Sequence, residues 1–571
     1  LAAAVAVTVG ALAALGDLAI PYPASAAWDG TPRFTVARAW RDVETLATRF
    51  PGRWSGSDDR AAAADWLAAT LAEMGLEVHR ERFAVALGRR EPVVLENVWG
   101  VSRGAERPDE IIVAVGNYDM APTSLQAASD TAGHVGTILE IARVMHAEPH
   151  RRTIIALFPD GEEWGMLGAR HFARTFPDRA RIVAALSIED LDAGSLRALG
   201  IDGIGQSRGF SPMWLRALAA AAARLEGYPV EEVPPVIEWL QRSALVSSTD
   251  QGPFLTEGIP AIDLAGRGSD RALQHAIYHL PGDTIDKMRP ASLRAYGRIQ
   301  ERIVRTIDAM PQVPVESPYY LRLGIDRVVP GGRLWPVQGA LLLPLIVAAV
   351  RAVRRPGAAA VWRREWVTAL AIFAVAMAGL AALLALPKVG LMADYELYPP
   401  PPRHPALTQV GWPVVAVITI VVAGGAWLAR RLGARSPAAG DAEDRFGALV
   451  LALLAIAIVS LLDNPFGAVT FLLAPVVCWV WAAPSARRDR RVLNGALIVL
   501  GFLPIMSLIA QYGQSLRIGP FIAWYLMMGI AYGQFTLLRV ILTLAIIVVG
   551  VRLIAVSALG LGARRGGTRL P

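Results

Sequence analysis

An α/β domain followed by an all-α polytopic transmembrane bundle is the fold class this sequence predicts, on three observations. Residues 28–312 alternate β-rich and helical segments, the chain beyond Leu334 is a succession of apolar runs, and short arginine clusters flank those runs. With 54% hydrophobic residues over 571 and a mean hydropathy of +0.40, the chain cannot be one ordinary water-soluble domain.

The globular stretch carries the rhythm of a sheet with covering helices. Arg60 to Met74 has helical spacing, with Trp66, Leu67 and Leu71 on one face. Glu77–Ala84 alternates like a strand. Val93–Val101, Ile111–Val115, Thr153–Phe158 and Ile182–Ile188 are β-rich runs, and Ala132–Met145 is helical again. Strands interleaved with helices predict a layered α/β sheet. Such sheets place their chemistry at the carboxyl ends of strands, where Asp119, Asp160, Glu162, Glu189 and Asp190 stand.

The apolar runs divide the chain into an N-terminal segment 1–27, a globular domain 28–312, a linker 313–333 and a transmembrane domain 334–571 of about seven spans. The run Leu1–Ile20 is either an anchor or an export signal ending near Ala24-Ser25-Ala26, and in both cases the globular domain is exported. Arg351, Arg354 and Arg355, then Arg430, Arg431 and Arg435, then Arg487 to Arg491, and finally Arg564, Arg565 and Arg569 mark cytoplasmic ends. The Pro-rich stretch Tyr398–Pro405 and Asp463-Asn464-Pro465 then lie outside. Phe521–Val556 is too long for one span and is interrupted by Gln534 and Arg539. One span from Leu537 gives about eight in all, and two give about nine. The expected location is the cell membrane, multi-pass, with lipid as a partner.

The net charge of +7 resides in these flanking arginines, which makes it a topological signal and argues against nucleic acid. The single cysteine, Cys478, lies inside an apolar run and excludes both an intrachain disulfide and thiol catalysis.

Glu162 and Glu163 follow a β-rich strand in Asp160-Gly161-Glu162-Glu163-Trp164-Gly165. A carboxylate ligand beside a second carboxylate free to move protons is the minimum equipment of a metallohydrolase. Each acid alone has a plain explanation: adjacent glutamates open solvated helices, and Asp130 before an Ala/Gly-rich helix is a fitting N-cap. Their convergence from several strand ends is what points to a metal.

Asn117-Tyr118-Asp119, Ala128 to Gly133, Phe158 to Gly165 with Leu167-Gly168-Ala169, Ser187-Ile188-Glu189, Gly258 to Ala261 and Tyr278 to Thr284 together resemble the successive signatures of the M28 family of zinc aminopeptidases. The resemblance covers about Phe34 to Asp308. It implies a mixed-sheet, phosphorylase/hydrolase-like zinc peptidase domain with a co-catalytic metal site. Asp130 would bridge two metals, Glu163 and His279 would complete one, and Glu189 would serve the other. Glu162 would be the general base, with Asp119 as a supporting residue. Asp190 competes with Glu189, since both fall at the same strand end.

Asn117 stands where the family motif has histidine, and an amide oxygen is a poorer zinc donor than imidazole. One zinc is therefore expected, with the second position weakened. Such a single-zinc arrangement is similar to that of the glutaminyl cyclases. Gln251 also replaces a histidine that many relatives carry, and its neighbour Asp250 is a candidate for orienting substrate, with Trp164 and Tyr278 as candidate pocket walls. His134, His146, His150, His171 and His275 read as packing or surface residues. The layout is similar to endoplasmic reticulum metallopeptidases. The expected activity is hydrolysis at the free N-terminus of a peptide outside the cytoplasm. The alternatives are a catalytically altered descendant serving binding, scaffolding or lipid-linked transfer, and a glutaminyl-cyclase-like enzyme.

Overall fold

The computed structural model describes residues 10, 13–23, 25–85, 92–245, 247–324, 326–392, 407–433, 442–467, 475, 478–515 and 517–559. Most of the run Leu1–Ile20, the Tyr398–Pro405 loop, much of Ala468–Ala483 and the last arginines lie outside the described residues.

Eight strands form the central sheet: β1 Glu77–Val85, β2 Val93–Ser102, β3 Arg107–Val115, β4 Arg152–Phe158, β5 Ile182–Leu191, β6 Leu196–Asp202, β7 Val230–Glu232 and β8 Ala261–Gly268. Their spatial order is β1-β2-β4-β3-β5-β8-β6-β7. The pairs β4–β3, β3–β5 and β5–β8 are parallel, while β1–β2, β2–β4 and β8–β6 are antiparallel, so the sheet is mixed.

Helices cover both faces. On one lie α1 Val36–Arg49, α2 Asp58–Glu73, α3 Gly133–His146, α5 Met213–Leu225 and α8 Pro290–Ala309, and on the other α4 Leu167–Thr175 and α7 Gln251–Thr256. The α6 helix, Pro235–Ala244, lies toward the membrane-side helices. Ala39, Val43, Leu46 and Ala47 put the buried stripe of α1 at helical spacing. Ser57 caps α2, its oxygen accepting the Arg60 N–H at 3.0 Å, with Asp58 and Asp59 in the positive first turn. Strand β3 feeds both cores: Ile112 and Ala114 point to one, Ile111, Val113 and Val115 to the other. Burying each large aliphatic chain contributes about 1.5–3 kcal/mol.

The expected elements of the globular domain all form. Two features differ. β5 continues through Glu189 and Asp190 to Leu191, with its pairing to β8 shifting register between Ile188 and Leu191. The segment 313–333 is more than a linker: Tyr320–Arg322 and Arg327–Pro330 pair with Ile20–Pro21 in a three-stranded sheet.

Beyond it, four helices among the described residues are long and apolar enough to cross a membrane: Gly331–Val353, Ala359–Ala385, Ala442–Asp463 and Leu537–Ala558. Arg488–Gly501 and Leu503–Gln514, bent by 45°, would make a fifth as a pair, and Trp412–Trp427 and Gly519–Ala531 are shorter apolar helices.

The α/β domain rests on one end of these helices. Asn464 Nδ2 donates to the Arg242 carbonyl at 2.9 Å and Ser243 Oγ to that of Phe466 at 3.2 Å. Arg539, which interrupts the last apolar stretch, pairs with Asp463 at 2.9 Å and donates to the Ser207 carbonyl at 2.7 Å. Beneath this contact Glu238 is ringed by Arg216, Arg242 and Arg322. The three cations hold its carboxyl down to about 2 despite burial.

Candidate functional site

The site assembles at the carboxyl ends of β3, β4 and β5. β3 ends at Val115, and at Gly116 a Cβ would lie 2.7 Å from the Ile188 carbonyl, so glycine lets the chain turn there against β5. Asn117 to Asp119 follow. β4 leads into Asp160–Gly165, a loop whose Gly161 and Gly165 hold φ of +79° and +109°.

Three loops bring Asp130, Glu163 and His279 together, with one ligand atom from each inside a mutual 4.8 Å. His279 Nε2 lies 2.9 Å from Asp130 Oδ2 and 3.4 Å from Glu163 Oε1. All three are buried. His279 holds a left-handed backbone, φ +55°, and Ala127 does the same at +47°. Such conformations cost of order 1–3 kcal/mol and persist where the surroundings impose them. Here Thr123 Oγ1 donates to the His279 carbonyl at 2.6 Å, and the Tyr278 ring stacks on the imidazole at 3.9 Å.

Asp119 supports the acidic doublet from below. Its carboxylate accepts the backbone N–H of Glu162 at 3.2 Å and of Glu163 at 3.4 Å, besides the Ser55 hydroxyl at 3.0 Å. Ser55 also reaches Asp160, whose carboxylate accepts the Glu96 N–H at 3.0 Å, so Asp160 is structural.

Two supports carry little signal in the sequence. Asp283 accepts the backbone N–H groups of Ser129 at 2.8 Å and Asp130 at 3.2 Å, presenting Asp130 to the site. Arg53, buried, donates to the carbonyls of Tyr118, Gln126 and Ala127 and to Thr131 Oγ1, tying the Asp119 loop to the Asp130 loop. Backbone groups of the Tyr118 and Gln126–Asp130 segments define most of both roles, and no motif spacing announces them.

Asn117 keeps its amide turned to Asp119, donating to its carbonyl at 3.2 Å and Oδ1 at 3.3 Å. Glu189 and Asp190 part company. Glu189 accepts the Ser187 hydroxyl at 2.6 Å and the Asp250 N–H at 3.4 Å. Asp190 instead lies near Asp130 and joins Asp130 and His134 in a second group of potential ligands. The register irregularity between Ile188 and Leu191 breaks simple strand alternation at these two residues. Asp250 is fully buried and both its carboxylate oxygens lack a hydrogen-bond partner. Trp164 is half-buried on the Glu162 loop, as is Tyr278 on its own loop. Away from the site, His146 and His150 share Ser102 Oγ, and His171 stacks on Phe83.

The electrostatics of this cluster call for a cation. Burial, with Asp283 and Glu189 close by, pushes Asp130 up to about 8. Burial together with Glu163, Glu189 and Asp250 lifts Glu162 well above the usual carboxylate range, and burial lifts Glu163 likewise. Asp283 rises to about 6, again chiefly by burial. Closely spaced buried carboxylates cannot all ionise without a compensating charge. Glu163 Oε1, which faces His279 Nε2, lacks a hydrogen-bond partner. Two carboxylates and an imidazole are a fitting donor set for zinc.

Residues 97–304 match the family model of peptidase family M28. A probable zinc metalloprotease of Leptosphaeria maculans is 28% identical over 238 residues, 35% of this chain and 55% of that protein. The chain spans about half the length of the first curated relatives it matches. Among solved structures, a zinc aminopeptidase from Bacillus subtilis superposes with a TM-score of 0.41 at 14% identity, over 48% of this chain and 95% of that one. Porphyromonas gingivalis glutaminyl cyclase does so at 0.40 and 20%, over 48% and 99%. The match to peptidase family M28 thus covers residues 97–304, and the curated relatives that this chain resembles are named probable zinc metalloproteases.

Proposed function

We propose that this protein is a membrane-anchored zinc-dependent aminopeptidase, acting outside the cytoplasm on peptides with a free N-terminus. The observation that carries this reading is the buried Asp130–Glu163–His279 trio with Glu162 as the adjoining residue. Zinc, when bound, supplies Lewis acidity that acidifies a water and polarises the scissile carbonyl.

The chain's own residues do the rest. Asp130, Glu163 and His279 would hold the metal. Glu162, half-buried and held by its backbone to Asp119, takes a proton from the attacking water and delivers it to the leaving amine. Its raised proton affinity suits the second of these transfers, and the charge of a bound cation draws it back toward the range needed for the first. Asp250 offers two unpartnered carboxylate oxygens in a buried setting, the complement of a substrate α-ammonium.

The charge distribution supports the proposed orientation. The α/β domain sits at the end of the helices marked by Asp463 and Arg539, while Arg351, Arg354, Arg355 and Arg552 occupy the far ends. Val367, Leu370 and Ile420 face outward, as lipid contact requires.

The test uses full-length protein in detergent, with metal analysis and a peptide panel that includes an N-terminal glutamine. Release of N-terminal residues is expected, and Glu162→Gln should retain zinc while losing at least about 100-fold in kcat. Folded protein without zinc would overturn the reading. Ring closure of the glutamine peptide without hydrolysis would replace it with the cyclase alternative.

A further inference from the structure

Both carboxylate oxygens of Asp250 are buried without a hydrogen-bond partner, so the backbone alone sets where the carboxylate stands. That backbone is held from two sides. Upstream it leads from Ala244, the last residue of α6, and downstream Gln251 begins α7. Both sides are tied to Arg539, half-buried on the apolar helix Leu537–Ala558. Its Nη1 donates to the Ala244 carbonyl at 3.4 Å and its Nη2 to the Ser207 carbonyl at 2.7 Å, while Nε meets Asp463 at 2.9 Å. A guanidinium presents its donors in a rigid planar fork, so one group fixes the spacing of three partners.

Ser207 lies at the tip of a hairpin, residues 203–211. The Ser211 N–H donates to the Gly203 carbonyl at 2.8 Å and the Gly205 N–H to that of Gly209 at 3.0 Å. This hairpin rests on α7. The Gln206 N–H donates to Thr256 Oγ1 at 3.1 Å, Arg208 Nε to the Thr256 carbonyl at 2.7 Å, and Gln251 Nε2 to the Ile204 carbonyl at 3.4 Å. At Gly209, φ +88°, a Cβ would stand 2.2 Å from the Leu255 carbonyl, so the two segments meet backbone to backbone. Phe210 meets Phe466 edge to face at 4.9 Å, joining the hairpin to the membrane-side helices.

We infer that Arg539 is a positioning residue for substrate recognition. By holding the end of α6, and the hairpin against α7, it places Asp250 for the substrate ammonium, so the membrane-side helices take part in the site. This rests on the proposed function, in which Asp250 receives that ammonium.

The test is a double-mutant cycle on full-length, zinc-loaded protein in detergent, with a free-amine peptide as substrate. Arg539→Ala should raise KM about threefold to tenfold, the range for residues that bias a site they do not touch, with kcat and zinc content close to wild type. In an Asp250→Asn background the same change should leave KM where Asp250→Asn put it, because the group being positioned is gone. Thr256→Val removes the hydroxyl that receives the Gln206 N–H and nearly keeps the side-chain shape. It should shift KM in the same direction, and it decides if Arg539→Ala fails to fold. An unchanged KM in the folded variant, or a rise as large with Asp250→Asn as without it, would overturn the role of Arg539 and leave the proposed function standing. Zinc-loaded wild type that releases no N-terminal residue would remove the proposed function and this role with it.

Discussion

The backbone carbonyl of Asn117 accepts the Nε2 hydrogen of His134 at 2.8 Å. The position expected to lack a zinc ligand is thus coupled, through its main chain, to a histidine on the neighbouring helix. Gly116 makes the contact geometrically possible, because the absent Cβ lets the strand end turn close to both β5 and α3. The same short turn sends the Asn117 amide to Asp119, and Asp119 in turn holds the glutamate doublet.

Asp119→Asn tests that last link. The substituted amide can place an NH2 group against a backbone N–H of Glu162 or Glu163, two donors facing each other. Zinc content should stay near wild type while kcat falls about 10–100-fold, in the range seen for residues supporting a metal site. Loss of zinc along with activity would show that Asp119 maintains the ligands as well as the base.

Asp250→Asn tests recognition of the substrate amine. Removing a buried charge that pairs with an ammonium costs about 1.5–3 kcal/mol. The expected result is a KM for free-amine peptides raised by about 10–100-fold, with kcat changed little. An equal effect on N-acetylated peptides would assign Asp250 to packing.

Glu238→Gln tests the junction beneath the membrane helices. The folded carboxyl is held near 2 against an ordinary value of 4.5, so its contribution is present above pH 4.5 and lost as pH falls toward 2. At neutral pH that contribution is about 3 kcal/mol. The melting temperature of the variant should therefore lie furthest below wild type at pH 6–7, with the gap closing between pH 4.5 and 2. A gap independent of pH would contradict the assignment.

Arg539→Ala removes the pairing with Asp463 and the bond to the Ser207 carbonyl. Hydrogen exchange across residues 203–210 should accelerate, and the chain should lose about 1.5–3 kcal/mol of stability. Arg539→Lys should restore it only in part, since an ammonium lacks the fork that meets two partners at once.

Much of the site was legible because its residues follow strands whose apolar runs are unmistakable. Glu162 and Glu163 come directly after β4, and Tyr278-His279 lies in a compact motif. Asp283 and Arg53 were not legible as supports, because their partners are backbone groups of irregular loops. A lone arginine or aspartate carries no record of which carbonyl or N–H it will meet. His134 was read as packing, although its position four residues after Asp130 at a helix start was a usable signal. Arg539 was read as an interruption in an apolar run, and the structure makes it a contact between the two halves of the chain.

Sequence alone determined the division into an α/β domain and a membrane-type helical region, the strand order along the chain, and the residue types able to hold zinc. Those follow from apolar periodicity and from spacing, both local properties. Tertiary structure grouped Asp190 and His134 with Asp130, brought His134 against the carbonyl of Asn117, and seated the domain on Asp463 and Arg539. The physical reason is common to all three. A register irregularity of one or two residues, or one carbonyl brought within 2.8 Å, redirects a side chain, and such events depend on which elements pack together.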